Sequence, residues 1–177
     1  MESRQPRRIG REALWSYALR ILAGRSLAIA DLRERLARRA ADASDVEPIL
    51  ARLKDYGYLD DRRYAESYAS ARKENQALGK FRVLRDLRQR RVAPAVAQKA
   101  VEQVYKGSDE EALIEAFLRR KFRSKPLREL LGESKNLLSA YRKLRRAGFT
   151  SGSSIRVLKR FSQEADQLEG VEEAEEG

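Results

Sequence analysis

The side chains of this sequence that could do chemistry are overwhelmingly cationic. It holds 38 Lys and Arg against 27 Asp and Glu, with no His and no Cys, for a formal charge of +11. Without thiolates or imidazoles there is no zinc site built on those ligands and no His-based triad. The absence of Cys also excludes disulfides, which fits a cytoplasmic protein. The acids offer little more. Asp60 and Asp61 are adjacent at what reads as a helix start, where Asp60 caps and Asp61 sits at the positive end of the dipole. Neighbours there do not face each other as a general acid and base would. No Gly-rich phosphate loop, Gly-Lys-Ser/Thr motif or nucleophile elbow occurs. With no convergent set of catalytic roles, the sequence reads as non-enzymatic and free of cofactors.

What so many cations can do is meet anions. Residues 164–177 carry seven acids and no base, so the remainder holds 38 bases against 20 acids, a formal +18. Such a field draws in polyanions. From Arg119 to Arg146 there are eleven bases and only two acids, Glu129 and Glu133, whereas a merely solvated helix surface interleaves both signs. In "KFRVLRDLRQRR" (80–91), turning Phe81, Leu84 and Leu87 inward turns Arg82 and Arg85 outward. In "NLLSAYRKLRR" (136–146), an inward stripe of Leu137, Ala140, Tyr141 and Leu144 leaves Arg142, Lys143 and Arg146 outside. Between them, "LRRKFRSK" adds Arg119, Arg120, Lys121, Arg123 and Lys125. With Arg72, Lys73 and Lys80 from the preceding stretch, these bases (Lys125 apart) form the candidate partner- and DNA-binding set. A base-reading helix presents Asn, Gln or Ser as well as Arg, so this set suits phosphates, or the carboxylates of an acidic protein, better than base edges.

The elements that position these residues are helices. Leu, Ala, Arg and Glu dominate, and apolar residues recur at helical spacing. The stripes are Leu14/Ala18/Ile21/Leu22, Ile29/Leu32/Leu36/Ala40, Val46/Ile49/Leu50/Leu53/Tyr56, Tyr64/Ala65/Tyr68/Ala69, Phe81/Leu84/Leu87 and Ala97/Ala100/Val101/Val104/Tyr105, with matching stripes beyond. Ser44/Glu47 and Ser108/Glu111 have capping-box spacing, and Pro94 suits a first helical position. Tyr64 and Tyr68 read as core with their hydroxyls at the rim. Nine helices in three groups result, and Leu36, Leu87 and Leu144 occupy equivalent places, 51 and 57 residues apart. The expected fold is all-α: an elongated array of three tandem three-helix, helix-turn-helix-like repeats. The expected divisions are a flexible basic arm (1–11), repeats at 12–57, 58–106 and 107–163, and an acidic disordered tail (164–177). No apolar run approaches the ~20 residues that span a bilayer. No signal peptide is read at the N-terminus.

"GYLDDRRYAESYASAR", followed by Gly79 and "FRVLRDLRQRRV", resembles the RecX family, regulatory proteins of RecA recombinase. Gly57, Tyr58, Leu59, Asp60, Asp61, Tyr64, Ala65 and Tyr68 match the family pattern, and Arg72 matches its following basic position. Ser26, Leu32 and Leu36 fit the family's first repeat, with Asp31 as the acid. The glycine that often ends a unit's second helix is Ala40 in the first unit and Arg91 in the second, and is kept only as Gly148. The resemblance implies a non-enzymatic protein that binds the RecA–single-stranded DNA filament and restrains its ATPase, coprotease and strand-exchange activities, and an elongated array without an obvious dimer seam is expected to be a monomer. Through its phosphate contacts the basic face is expected to bind single-stranded DNA, and duplex DNA only weakly. The alternative is a helix-turn-helix-like regulator acting on DNA directly. Steeply salt-dependent, sequence-independent binding fits the first, and a defined duplex site fits the second.

Overall fold

The computed structural model describes residues 8–123, 126–162, 165 and 168 of the 177. Among these, every extended regular element is a helix: α1 (Arg11–Gly24), α2 (Ile29–Ala37), α3 (Val46–Asp55), α4 (Asp61–Gln76), α5 (Lys80–Gln89), α6 (Pro94–Tyr105), α7 (Glu110–Lys121), α8 (Leu127–Leu131), α9 (Ser134–Arg146) and α10 (Ser151–Lys159). The helix beyond the expected nine is α8, five residues long, in the stretch where periodicity is weakest. Most of the expected arm (1–7) and most of the acidic run lie outside the described residues. Ile9 pairs with the chain after α2, its N–H donating to the Arg39 carbonyl at 2.8 Å and its carbonyl accepting from Ala41 at 2.9 Å. Ala165 and Leu168, from the acidic run, are buried.

The chain packs as two compact units, one of residues 1–67 with 87–100 and one of 68–86 with 101–177. In the first, Leu14 and Ala18 of α1 close on Leu32 and Leu36 of α2 and on Val46, Ile49, Leu50 and Leu53 of α3. Burying one Leu or Ile contributes about 1.5–3 kcal/mol, so these stripes hold the unit together. The Ser44 capping box does not form. Asp42 instead accepts from the Ser44 N–H at 2.8 Å and opens a 3-10 turn, Ala43–Asp45, ahead of α3. Tyr56 is not on the inward face but 58 % exposed. α3 ends at Asp55, and Gly57 (φ 71°) reverses the chain. That reversal lets the N–H groups of Tyr58 and Leu59 reach the Leu53 carbonyl, and Leu59 fills the place expected of Tyr56.

Asp60 caps α4 as its position implies, accepting from the N–H groups of Arg62 (2.8 Å) and Arg63 (3.1 Å). Asp61 does more than sit in the first turn: its carboxylate accepts from the Ile29 N–H at the start of α2, at 2.8 Å. Tyr64, Ala65 and Ala69 are buried. Tyr68 is half-buried, its hydroxyl 3.3 Å from Asp86 Oδ2. In α5 the buried pair is Val83 and Leu87, spaced four apart, and Phe81 is 50 % exposed, contrary to the expected stripe. Pro94 is the first residue of α6.

In the second unit, Ile114 and Leu118 of α7, Leu137, Tyr141 and Leu144 of α9 and Val157 and Leu158 of α10 share one core with Phe149. Asp109, rather than Ser108, caps α7 and accepts from Glu111 and Ala112. Glu110 receives the Thr150 N–H (2.9 Å) and hydroxyl (2.7 Å), joining the start of α7 to the start of α10. Burial alone would raise the Glu110 pKa, but these bonds outweigh it, and the net shift is downward from 4.5. The N-terminus of α5 sits close against the turn after α9. The Gly79 N–H donates to the Ala147 carbonyl (2.9 Å) and the Phe81 N–H to that of Gly148 (3.3 Å). A Cβ on Gly79 would overlap the Gly148 carbonyl, and one on Gly148, whose φ is 88°, would overlap the backbone nitrogen of Arg82. Arg91 takes a similar left-handed conformation (φ 59°).

Three stability results are expected. Gly57→Ala has open space around its Cβ and should cost only the left-handed backbone penalty, about 1–2 kcal/mol. Gly148→Ala adds backbone overlap and should cost roughly 2–5 kcal/mol by denaturant unfolding. For Glu110, a depressed folded pKa means its contribution is full above 4.5 and is lost as pH falls through the lower folded value. Glu110→Gln should therefore lower the melting temperature at pH 7, and the difference should close in acid. A gap independent of pH would contradict this.

Candidate interaction face

All twelve bases singled out in the sequence fall within the second unit. The Gly79–Gly148 junction decides which of them meet. By seating the start of α5 on the end of α9, it brings Arg82 and Arg85 to the last turn of α9. There the Arg146 carbonyl accepts from Arg85 Nη2 at 3.1 Å and from Arg82 Nη1 at 3.5 Å. Arg82 also pairs with Asp86 at 2.8 Å, one turn along the same helix. A guanidinium carries five donors, so a bond to one carbonyl fixes its place without exhausting its capacity for an anion.

On the outer side of α9, Lys135, Leu138, Ser139, Arg142, Lys143 and Arg146 line a shallow groove of about 320 Å³. The i, i+4, i+7 spacing of Lys135, Ser139 and Arg142 keeps them on one helical face. Lys143 lies with its Nζ 4.7 Å from the Phe122 ring centroid, which fixes the ammonium at the groove's flank. Beside the same end of α9, Phe81, Arg145, Gly148, Phe149, Thr150 and Ser151 line a cleft of about 460 Å³. Arg145 donates to the Phe149 carbonyl at 2.7 Å across its mouth. Phe81 at 50 % exposed, with Lys80 Nζ 5.1 Å from its ring, is thus an apolar element among cations.

Other members of the set are tied into the unit's own structure. Lys73 is half-buried, donates to the Val104 carbonyl at 2.9 Å and lies 5.5 Å from the Tyr105 ring. The Tyr105 hydroxyl in turn donates to the Leu78 carbonyl at 2.6 Å, and burial raises its pKa. Arg120 donates to the carbonyls of Glu74 (3.2 Å) and Asn75 near the end of α4. Arg72 stacks on Tyr68, 4.7 Å from its centroid, and Arg119 pairs with Glu115 at 3.1 Å. Lys121 and Arg123 are exposed, and Lys125 lies outside the described residues.

Phe81, Lys135 and Arg145 complete the face, although none of them belongs to the set that the sequence singles out. Phe81 reads as inward in the sequence because 81/84/87 and 83/87 are both acceptable helical stripes. Only the partner helix chooses between them. Among the described residues, no group of three or more Asp or Glu is placed to hold a metal ion, and no helix is long and apolar enough to cross a membrane.

Stability measurements should separate tethered from outward cations. Lys73→Ala deprives the Val104 carbonyl of a charged donor and should cost about 1–2 kcal/mol. Lys121→Ala should stay within about 0.5 kcal/mol of wild type. Equal losses would show that the two lysines are not differently employed.

Comparison with known proteins gives a consistent result. A family model described as RecX, second three-helix domain, matches residues 60–101, nearly the span of α4 to α6. The protein named Regulatory protein RecX from Syntrophotalea carbinolica is 32 % identical over 142 residues, covering 77 % of this chain and 88 % of that one. Its namesake from Thermus thermophilus is 41 % identical over 113 residues, covering 63 % of this chain and 72 % of that one. A crystal structure of regulatory protein RecX superposes with a TM-score of 0.66 at 22 % identity, covering 83 % of this chain and 70 % of that one. RecX from Lactobacillus salivarius superposes with a TM-score of 0.65 at 15 % identity, covering 85 % and 96 %. At such identities, the structural matches speak to the fold.

Proposed function

This chain belongs to the RecX family, and we propose that it is a non-enzymatic regulator of RecA recombinase. It binds the RecA–single-stranded DNA filament through the basic face of the second unit. By doing so it restrains filament growth, and with it ATPase, coprotease and strand-exchange activity. It acts as a cytoplasmic monomer built of three three-helix repeats, at 12–57, 58–106 and 107–163.

The observation that carries this reading is the meeting of Arg82 and Arg85 with Arg146 at one carbonyl. Bases from two helices distant in sequence form one face, with the groove of Lys135, Arg142 and Lys143 continuing from it. A recombinase filament offers what such a face recognises: ordered phosphates and protein carboxylates at close spacing. The composition of the face favours phosphate and carboxylate contact over base reading, because it presents Arg and Lys with little Asn or Gln. That weighs against a helix-turn-helix regulator with a defined duplex site.

Reversing Arg142, Lys143 and Arg146 to Glu should leave the fold intact, since none belongs to the buried stripe of α9. Filament binding should weaken sharply. The log–log salt slope should fall by roughly one for each phosphate that is no longer neutralised. Wild type and triple variant with parallel salt curves and equal affinity would place recognition elsewhere. Tight binding to a particular duplex sequence would favour the alternative regulator.

A further inference from the structure

The first unit carries a feature that neither its core nor the basic face explains. Trp15 of α1, Tyr56 at the end of α3 and Tyr58 after it form an edge-to-face ladder. Ring centroids are 6.1 Å apart for Trp15–Tyr56 and 6.3 Å for Tyr56–Tyr58, each pair inclined by 67°. The Arg52 guanidinium lies 4.4 Å from the Trp15 ring and 5.4 Å from the Tyr56 ring. Its Nη2 approaches the Tyr56 hydroxyl at 3.4 Å. Between the two tyrosines, the Gly57 carbonyl accepts from Arg63. The left-handed Gly57 folds Tyr58 back beside Tyr56, and Leu59 closes the core beneath. Folding therefore does not need the two rings inside, and they stand 58 % and 56 % exposed.

We propose that this ladder is a stacking platform for the unpaired bases of single-stranded nucleic acid. Exposed rings offer π-faces to any base, and guanidiniums beside them can stack as well and neutralise the adjoining phosphate. The large apolar side chains exposed among the described residues are Tyr56, Tyr58 and Phe81, aromatic without exception. Protein-docking surfaces share this enrichment in Trp, Tyr and Arg, and the two guanidiniums beside the rings, from Arg52 and Arg63, are what favour a polyanionic strand. The chemistry differs from that of the basic face: phosphate contacts weaken steeply with salt, and stacking does not. The inference goes beyond the filament reading, and free strands without a recombinase are its first test.

Trp15 is the sole tryptophan of the chain, so its fluorescence reports on the platform alone. The full-length protein is titrated with an oligodeoxythymidylate, and separately with heparin, a polyanion without bases. Thymidylate should quench Trp15 and heparin should not. Tyr58→Ala should weaken thymidylate binding roughly five- to hundredfold, with the salt slope unchanged. Tyr58→Leu, which keeps apolar bulk without a π-face, should do the same, and Tyr58→Phe should bind as wild type. All three should melt like wild type. Equal quenching by heparin, or wild-type affinity in Tyr58→Ala and Tyr58→Leu, would overturn the proposal. So would a Trp15 response to an assembled recombinase filament but not to free strands, which would make the occupant a protein.

Discussion

The second unit depends on two backbones touching without side chains between them. Gly79 and Gly148 approach so closely that a Cβ on either would overlap the other segment. Two hydrogen bonds from the start of α5 to the turn after α9 hold the contact. Those bonds also satisfy N–H groups that a helix start leaves without intrahelical partners, and carbonyls at the end of another helix. The whole candidate face follows from that junction. It sets Arg82 and Arg85 against the Arg146 carbonyl, it leaves Phe81 outside, and it opens the cleft beside Phe149.

High positive charge does not by itself make a binding surface. In this unit the cations divide by where they are held. Lys73 and Arg120 serve backbone carbonyls near helix ends, where a positive charge also answers the helix dipole. Arg156 and Arg160 of α10 and its following turn are matched by Glu111 and Glu115 of α7. The outer side of α9 carries a groove lined by Lys135, Arg142, Lys143 and Arg146 with Ser139 and Leu138. Positive charge gathered at one place on a folded unit is what steers a polyanion to that place.

The helical class, most of the apolar stripes and the family were legible in the sequence, because periodicity and the "GYLDD" signature are local properties. Asp60, Pro94 and Gly57 behave as their residue types require. What was not legible is what depends on a distant partner. Nothing near Phe81 says that Val83 will face inward instead. Nothing near Tyr56 says that Leu59 will take its place in the core. The capping residues Asp42 and Asp109 stand close to serines that fit a spacing rule equally well. The close approach at Gly79 cannot be foreseen from a glycine that reads simply as a break between helices. The face was legible as a set of cations, but not as a division between those that tether and those that turn outward.

The central claim is that this chain restrains a RecA filament through the face on α5 and α9, and it is tested most directly by RecA ATPase on single-stranded DNA with the protein titrated in. Substoichiometric wild-type protein should suppress hydrolysis while hydrolysing no ATP itself, and protein carrying the three α9 charge reversals should not suppress it. Undiminished hydrolysis at saturating wild-type protein, with binding to the filament confirmed in the same sample, would contradict it.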